Sequence, residues 1–228
     1  MVVLRAQELA LVPFAAVEYG SRRFSRAVDG GARAGTLDRL ETILATAVAA
    51  ASYIIVEHVP EIEDPRLSDL LQYWRTKRRG RPVPAFKDID PIEIPSLLTY
   101  LWIHDYDPEN DRFRVRLMGE AVRSTYDCPV VGVDVEELVT HTAYPVVAER
   151  YRTVLTMPAI GHGSGRIYGH TIGRVGGGER LYLPLADEDG RTRMILGATI
   201  YKLLDDPQEG PEAAPVLRPD TMSPVTRV

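Results

Sequence analysis

At 228 residues the chain is long enough for one well-buried core or two smaller ones. Its 45% hydrophobic and 26% charged residues are ordinary globular composition, and the net charge of -5 argues against nucleic-acid binding by overall electrostatics. A single cysteine, Cys128, excludes an internal disulfide and fits a reducing compartment.

Residues 1–35 read as a loosely ordered arm, with Pro13 breaking helical propensity and a basic, Gly-rich stretch from Ser21 to Gly35. Thr36 then caps an apolar helix running toward Val56, with Leu37, Leu40, Ile43, Leu44 and Ala47 on one face. The uncharged run that starts at Thr42 ends before Glu57, shorter than the ~20 residues a membrane span needs. No membrane role is expected, and a cytoplasmic location is. A helix this apolar must pack, and a second copy of itself is the expected partner, giving a homodimer. Folding back beside the next helix is the alternative.

That next helix starts at Asp64-Pro65, a capping carboxylate followed by proline at the first helical position. Leu67, Leu70, Leu71 and Trp74 follow as an apolar stripe, a candidate interface for docking on the outer face of a sheet. Arg75, Lys77, Arg78 and Arg79 crowd the last turns, with Gly80 as the stop and Arg81 beyond. No aromatic residues interleave this cluster and Asp88 and Asp90 follow it, so it reads as a solvated helix end and not as a nucleic-acid patch.

Pro82 to Pro95 is a proline-punctuated connector, closed by a helical turn at Ile94 to Leu98. Tyr100 to Tyr106 reads as a strand. Arg112 to Met118 alternates, predicting Phe113, Val115 and Leu117 facing in and three arginines facing out, an edge protected by charge. Two short helical pieces, Gly119–Tyr126 and Val133–Val139, precede a longer helix, Tyr144–Met157, with Val147, Tyr151, Val154 and Leu155 on one side. Ile160 to Ile172 is Gly-rich and ragged, a twisted strand with a bulge or loop. Arg180 to Tyr201 is a hairpin: two apolar runs flank an Asp-Gly turn, and neither run alternates cleanly. Such a pair belongs in mid-sheet with both faces covered, one by the core and the other by a helix or partner chain. From Asp205 the composition predicts a disordered tail.

Catalytic signals are absent. Gly161-His-Gly-Ser-Gly165 is neither a nucleophile elbow nor a dinucleotide fingerprint, because His162 and Arg166 stand where glycines are required. His141, His162 and His170 lack Cys or carboxylate neighbours at ligand spacing. Glu136-Glu137 and Asp187-Glu188-Asp189 do not present carboxylates to one another. No enzyme, no metal and no cofactor is expected.

The order of elements, strands then helices then strands, predicts an α+β fold with one antiparallel sheet. Asp64-Pro-Arg-Leu67, Tyr73-Trp-Arg75, Arg78-Arg-Gly-Arg81, Ile89-Asp-Pro91, Phe113-Arg-Val-Arg-Leu-Met-Gly119, Leu183-Pro-Leu185 and Met194-Ile-Leu-Gly197 together resemble a bacterial PAS-like family common in alphaproteobacteria, over about residues 62–202. The resemblance implies a five-stranded antiparallel sheet with short helices on one face, preceded by N-terminal helices. It divides the chain into an arm and apolar helix (1–60), a lead-in helix and connector (61–98), the PAS-like domain (99–203) and the tail (204–228). It implies a non-catalytic sensory or regulatory module, acting in signal transduction through contact with a signalling partner. The alternative is a receptor for an apolar or aromatic small molecule held between sheet and helices. Candidate pocket residues are Phe113, Val115, Leu117, Tyr126, Tyr151, Val154, Tyr168 and Leu183. Haem-binding PAS domains take an axial histidine from the long helix, and Tyr144–Met157 has none. Cys128 is followed by Pro129, unlike the Asn-Cys-Arg pattern of light-sensing relatives.

Overall fold

The computed structural model describes residues 53–139, 143–168, 175–202 and 220–225, with the backbone alone for 165–168, 175–177 and 202. Its strands are β1 (Tyr53–Ile55), β2 (Leu101–Asp107), β3 (Arg112–Met118), β4 (Ala159–Tyr168), β5 (Val175–Ala186), β6 (Thr192–Lys202) and β7 (Asp220–Pro224). The helices are α1 (Pro65–Lys77), α2 (Glu120–Arg123), α3 (Val135–Leu138) and α4 (Tyr144–Thr156). All strands join one sheet in the order β1-β7-β4-β5-β6-β2-β3. The fold is α+β, as predicted, and the five strands β2 to β6 pair antiparallel throughout.

The β5–β6 hairpin lies in the middle of the sheet, where its unalternating sequence demands to be. Leu181, Leu183 and Leu185 with Met194, Leu196, Ala198 and Ile200 point to the outer face. Tyr182 and Ile195 point to the inner one. Gly190, at φ +79°, sits in the turn that joins the two strands.

Helix α1 covers the outer face. Asp64 caps it by accepting from the Arg66 backbone N–H at 3.0 Å. The stripe Leu67, Leu70, Leu71 and Trp74 is buried against the sheet. Trp74 is wholly buried and its indole Nε1 donates to the Pro184 carbonyl at 2.9 Å. The stripe is thus satisfied within its own chain. On the inner face, α2, α3 and α4 close over Phe113, Val115, Tyr182 and Ile195.

Several expectations are corrected. Leu117 does not face the core; it is 43% exposed. The β2–β3 register slips between Ile103 and His104, which pair with Leu117 and Val115, so Arg116 is an extra residue and the alternation reverses after it. The apolar stretch expected to continue helically to Val56 ends as strand β1; the rest of that helix and the arm lie outside the described residues. The expected disordered tail contains β7, which pairs with β4 on one side and, in parallel, with β1 on the other. Met222, fully buried, gives this segment its reason to order. The sheet therefore has seven strands instead of five.

Removing the Trp74 ring leaves a large cavity and an unpaired carbonyl at the centre of the outer layer. Trp74→Ala is expected to destabilise the chain by about 3–5 kcal/mol in urea unfolding, and an unmoved midpoint would contradict this packing.

Candidate functional site

The inner face of the sheet concentrates chemistry. Trp102 and His104, alternate residues of β2, point inward, as do Phe113 of β3 and Tyr182 of β5, and Tyr151 of α4 descends between them. These rings contact one another with centroid separations of 4.4 to 5.8 Å. Gly197 makes the arrangement feasible: a Cβ there would stand 2.0 Å from Trp102 Cζ2. The Trp102 indole donates to Thr199 Oγ1 at 3.0 Å.

His104 is the anomaly. It stacks on Trp102 at 4.4 Å, and among the described residues neither ring nitrogen has a hydrogen-bond partner. Burial pushes its pKa down to about 3, so the ring is neutral at pH 7. Burial likewise raises the phenols of Tyr151 and Tyr182 well above their ordinary range.

Beside the rings lies a buried ionic cluster. Asp220 of β7 is fully buried and accepts from Arg180 at both oxygens, Nη2 to Oδ1 at 2.6 Å and Nε to Oδ2 at 3.2 Å. Arg150 of α4 reaches Oδ2 at 3.2 Å, and the Tyr182 hydroxyl donates to the same oxygen at 3.1 Å. On the opposite face Glu179 is 1% exposed and accepts from the backbone N–H groups of Glu63 and Asp64, at 3.0 and 2.7 Å. His162 Nε2 lies 2.6 Å from Glu179 Oε1.

The predicted pocket residues separate. Phe113, Val115, Tyr151 and Val154 are buried together on the inner face. Tyr126 packs at the margin of that cluster and lines an open groove of about 500 Å³ with Arg123, Asp127, Cys128, Pro129, Val130 and Val131. Leu183 is on the wrong face: it packs with Leu67 and Trp74 in the outer layer, since its neighbour Tyr182 takes the inward position. Leu117 points out of the core, and Tyr168 stands in β4 opposite Val175 with its side chain outside the described set. Cys128 is exposed. Among the described residues no group of three or more His, Cys, Asp or Glu side chains gathers as a metal site.

Sequence reasoning passed over His104, Arg150, Arg180, Tyr182 and Asp220. A signal existed for two of them. His104 interrupts an apolar strand run, and Arg180 opens another, so each had to be buried or to mark an end. Asp220 carried none, because its burial depends on a strand formed from distant sequence.

Residues 62–200 match the sequence model of the PAS domain. The chain belongs to the PAS domain family. The matched span holds β2 to β5, β6 as far as Ile200 and all four described α-helices, whereas β1 and β7 lie beyond its two ends and pair with each other. No curated protein matches the chain. Among solved structures it is similar to a sensory box sensor histidine kinase from Vibrio cholerae, at 13% identity over 60% of this chain and 99% of that one, TM-score 0.36. It is also similar to the PAS domain of Bordetella pertussis BvgS, at 16% identity over 51% of this chain and 89% of that one, TM-score 0.31.

The buried imidazole makes stability depend on pH with a definite sign. Its folded pKa of about 3 lies below the ordinary 6.5, so its contribution is complete above pH 6.5 and is lost as pH falls toward 3. The loss is about 1.4 kcal/mol per pH unit in that window. His104→Leu should flatten the stability profile between pH 6.5 and 5. At neutral pH it should hold or raise stability by up to about 1–3 kcal/mol, since two unpaired nitrogens are removed. Denaturant titrations at several pH values check both, and an unchanged slope would contradict the assignment.

Proposed function

We propose that this PAS domain is a non-catalytic sensory and regulatory module that acts in signal transduction through protein–protein contact. The observation that carries the reading is the filled inner face. Trp102, His104, Phe113, Tyr151 and Tyr182 occupy, ring against ring, the space between sheet and helices where a ligand would sit. A domain packed in this way passes on changes at its surfaces, and its lead-in helix α1 is fastened to the sheet through Glu179 and Trp74. Self-association as a homodimer and a cytoplasmic location belong to the same reading.

One observation favours a second reading, a receptor for an apolar or aromatic molecule. Both nitrogens of His104 are buried without partners among the described residues, and a ligand bearing a hydrogen-bonding group on an aromatic frame would satisfy one while stacking on Trp102 or Tyr151. Native mass spectrometry of the protein purified from its own source separates the two. The interaction module predicts the bare mass of the chain or of its homodimer. A retained small molecule that His104→Leu abolishes would replace that reading with the receptor.

A further inference from the structure

The Gly-rich motif that no catalytic pattern explains has a structural use. Gly161 and Gly163 both face β7. A Cβ at Gly163 would lie 2.2 Å from Asp220 Oδ1, and one at Gly161 would lie 2.6 Å from Tyr182 Cδ2 and 3.0 Å from Met222 Sδ. Strand β4 thus carries two notches, two residues apart, that receive alternate side chains of β7. Above the first stand Arg180, Arg150 and the Tyr182 hydroxyl, all on the Asp220 carboxylate. Below the second, Met222 is wholly buried in the inner core.

The backbone of β7 is held as an added strand is held. It pairs with β4 from Ala159↔Pro224 to His162↔Thr221 and with β1 from Tyr53↔Asp220 to Ile55↔Met222. Val56 N–H donates to the Met222 carbonyl at 3.0 Å, and Val225 N–H donates to the Pro158 carbonyl at 2.7 Å. This strand comes from outside the span that matches the PAS domain, separated from β6 by residues 203–219.

We propose that the channel between β1 and β4 is a peptide-recognition site, filled in this chain by its own β7. Its ligand class is an extended segment presenting a carboxylate and, two residues on, a methionine-sized apolar side chain. Main-chain pairing supplies affinity and the two notched pockets supply the choice of sequence. The bidentate guanidinium of Arg180 reads the acid. The cis strand is both the resident occupant and the competitor that an incoming peptide must displace.

The test uses the full chain and a fluorescent peptide with the sequence of residues 218–228. With its own anchor weakened, the Asp220→Asn chain should bind the peptide, and a peptide carrying Asn in place of that Asp should bind roughly 10- to 100-fold more weakly. Adding Gly163→Ala to the Asp220→Asn chain should abolish binding, although alanine is ordinarily no worse than glycine in a strand. A folded Asp220→Asn chain that ignores the peptide, or that binds both peptides alike, overturns the proposal. If Asp220→Asn does not fold, the wild-type chain cut once at a protease site placed within 203–219 decides. The freed strand should then exchange for excess acidic peptide and not for the Asn peptide, and a strand that never exchanges overturns the proposal equally.

Discussion

The structure depends on a hairpin with no polar face. Over residues 181–186 and 194–198 the side chains pointing each way are apolar or aromatic, with Leu181, Leu183 and Leu196 on one side and Tyr182 and Ile195 on the other. A strand pair of this composition cannot stand at an edge or leave a side in water, since each large side chain so exposed forfeits about 1.5–3 kcal/mol. Everything else is placed by that requirement. Strand β2 closes one flank and β4 the other, α1 covers the outer face, and α2 to α4 cover the inner face. The lead-in helix is therefore a structural layer of the domain and not an accessory hung on its end.

Two neighbouring residues in the middle of β5 fasten the added elements. Successive residues of a strand point to opposite faces, so Glu179 and Arg180 are committed to different layers. Glu179 receives the backbone N–H groups that open α1, and Arg180 receives the carboxylate of β7. The segment before the PAS strands and the segment after them thus meet through one peptide bond of β5. A displacement of either anchor must be absorbed by the central strand or passed to the other side, which gives this dipeptide a role that neither residue type announces.

Much of the fold was legible because local signals agreed with tertiary demand. Asp64-Pro65 started a helix, Arg112 to Met118 alternated as an edge strand should, and the Asp-Gly turn marked the central hairpin. Reading failed where a single-residue event reversed a pattern or where the partner lay far away in sequence. The extra residue Arg116 turned Leu117 outward. Leu183 and Tyr182 are both apolar enough to face either layer; Tyr182 takes the inward position, where its hydroxyl reaches Asp220 and its ring the aromatic cluster. Strand β7 has five residues, two of them buried polar groups, Asp220 and Ser223. A stretch so short and so polar reads as tail until Arg150, Arg180 and the notches of β4 are known. The candidate site was less legible than the fold, because its polar members are identified by what surrounds them and not by their spacing.

Strand β4 shows how a motif can be overread and underread at once. Searched as a catalytic signature, Gly161-His-Gly-Ser-Gly165 contains nothing. Seen as a strand, its alternate positions have opposite duties: the glycines make room for Tyr182, Met222 and Asp220 on the inner face, and His162 turns outward to Glu179. Neither buried pair is evidence of stability by itself, since desolvating the charges costs about as much as their attraction returns. Their effect is selective. An apolar residue in place of Asp220 would leave the two part-buried guanidiniums of Arg150 and Arg180 without this carboxylate, and one in place of Glu179 would strip the entry of α1 of this acceptor. The apolar hairpin sets how firmly the layers cohere, and the buried charges set which segments of chain are admitted to them.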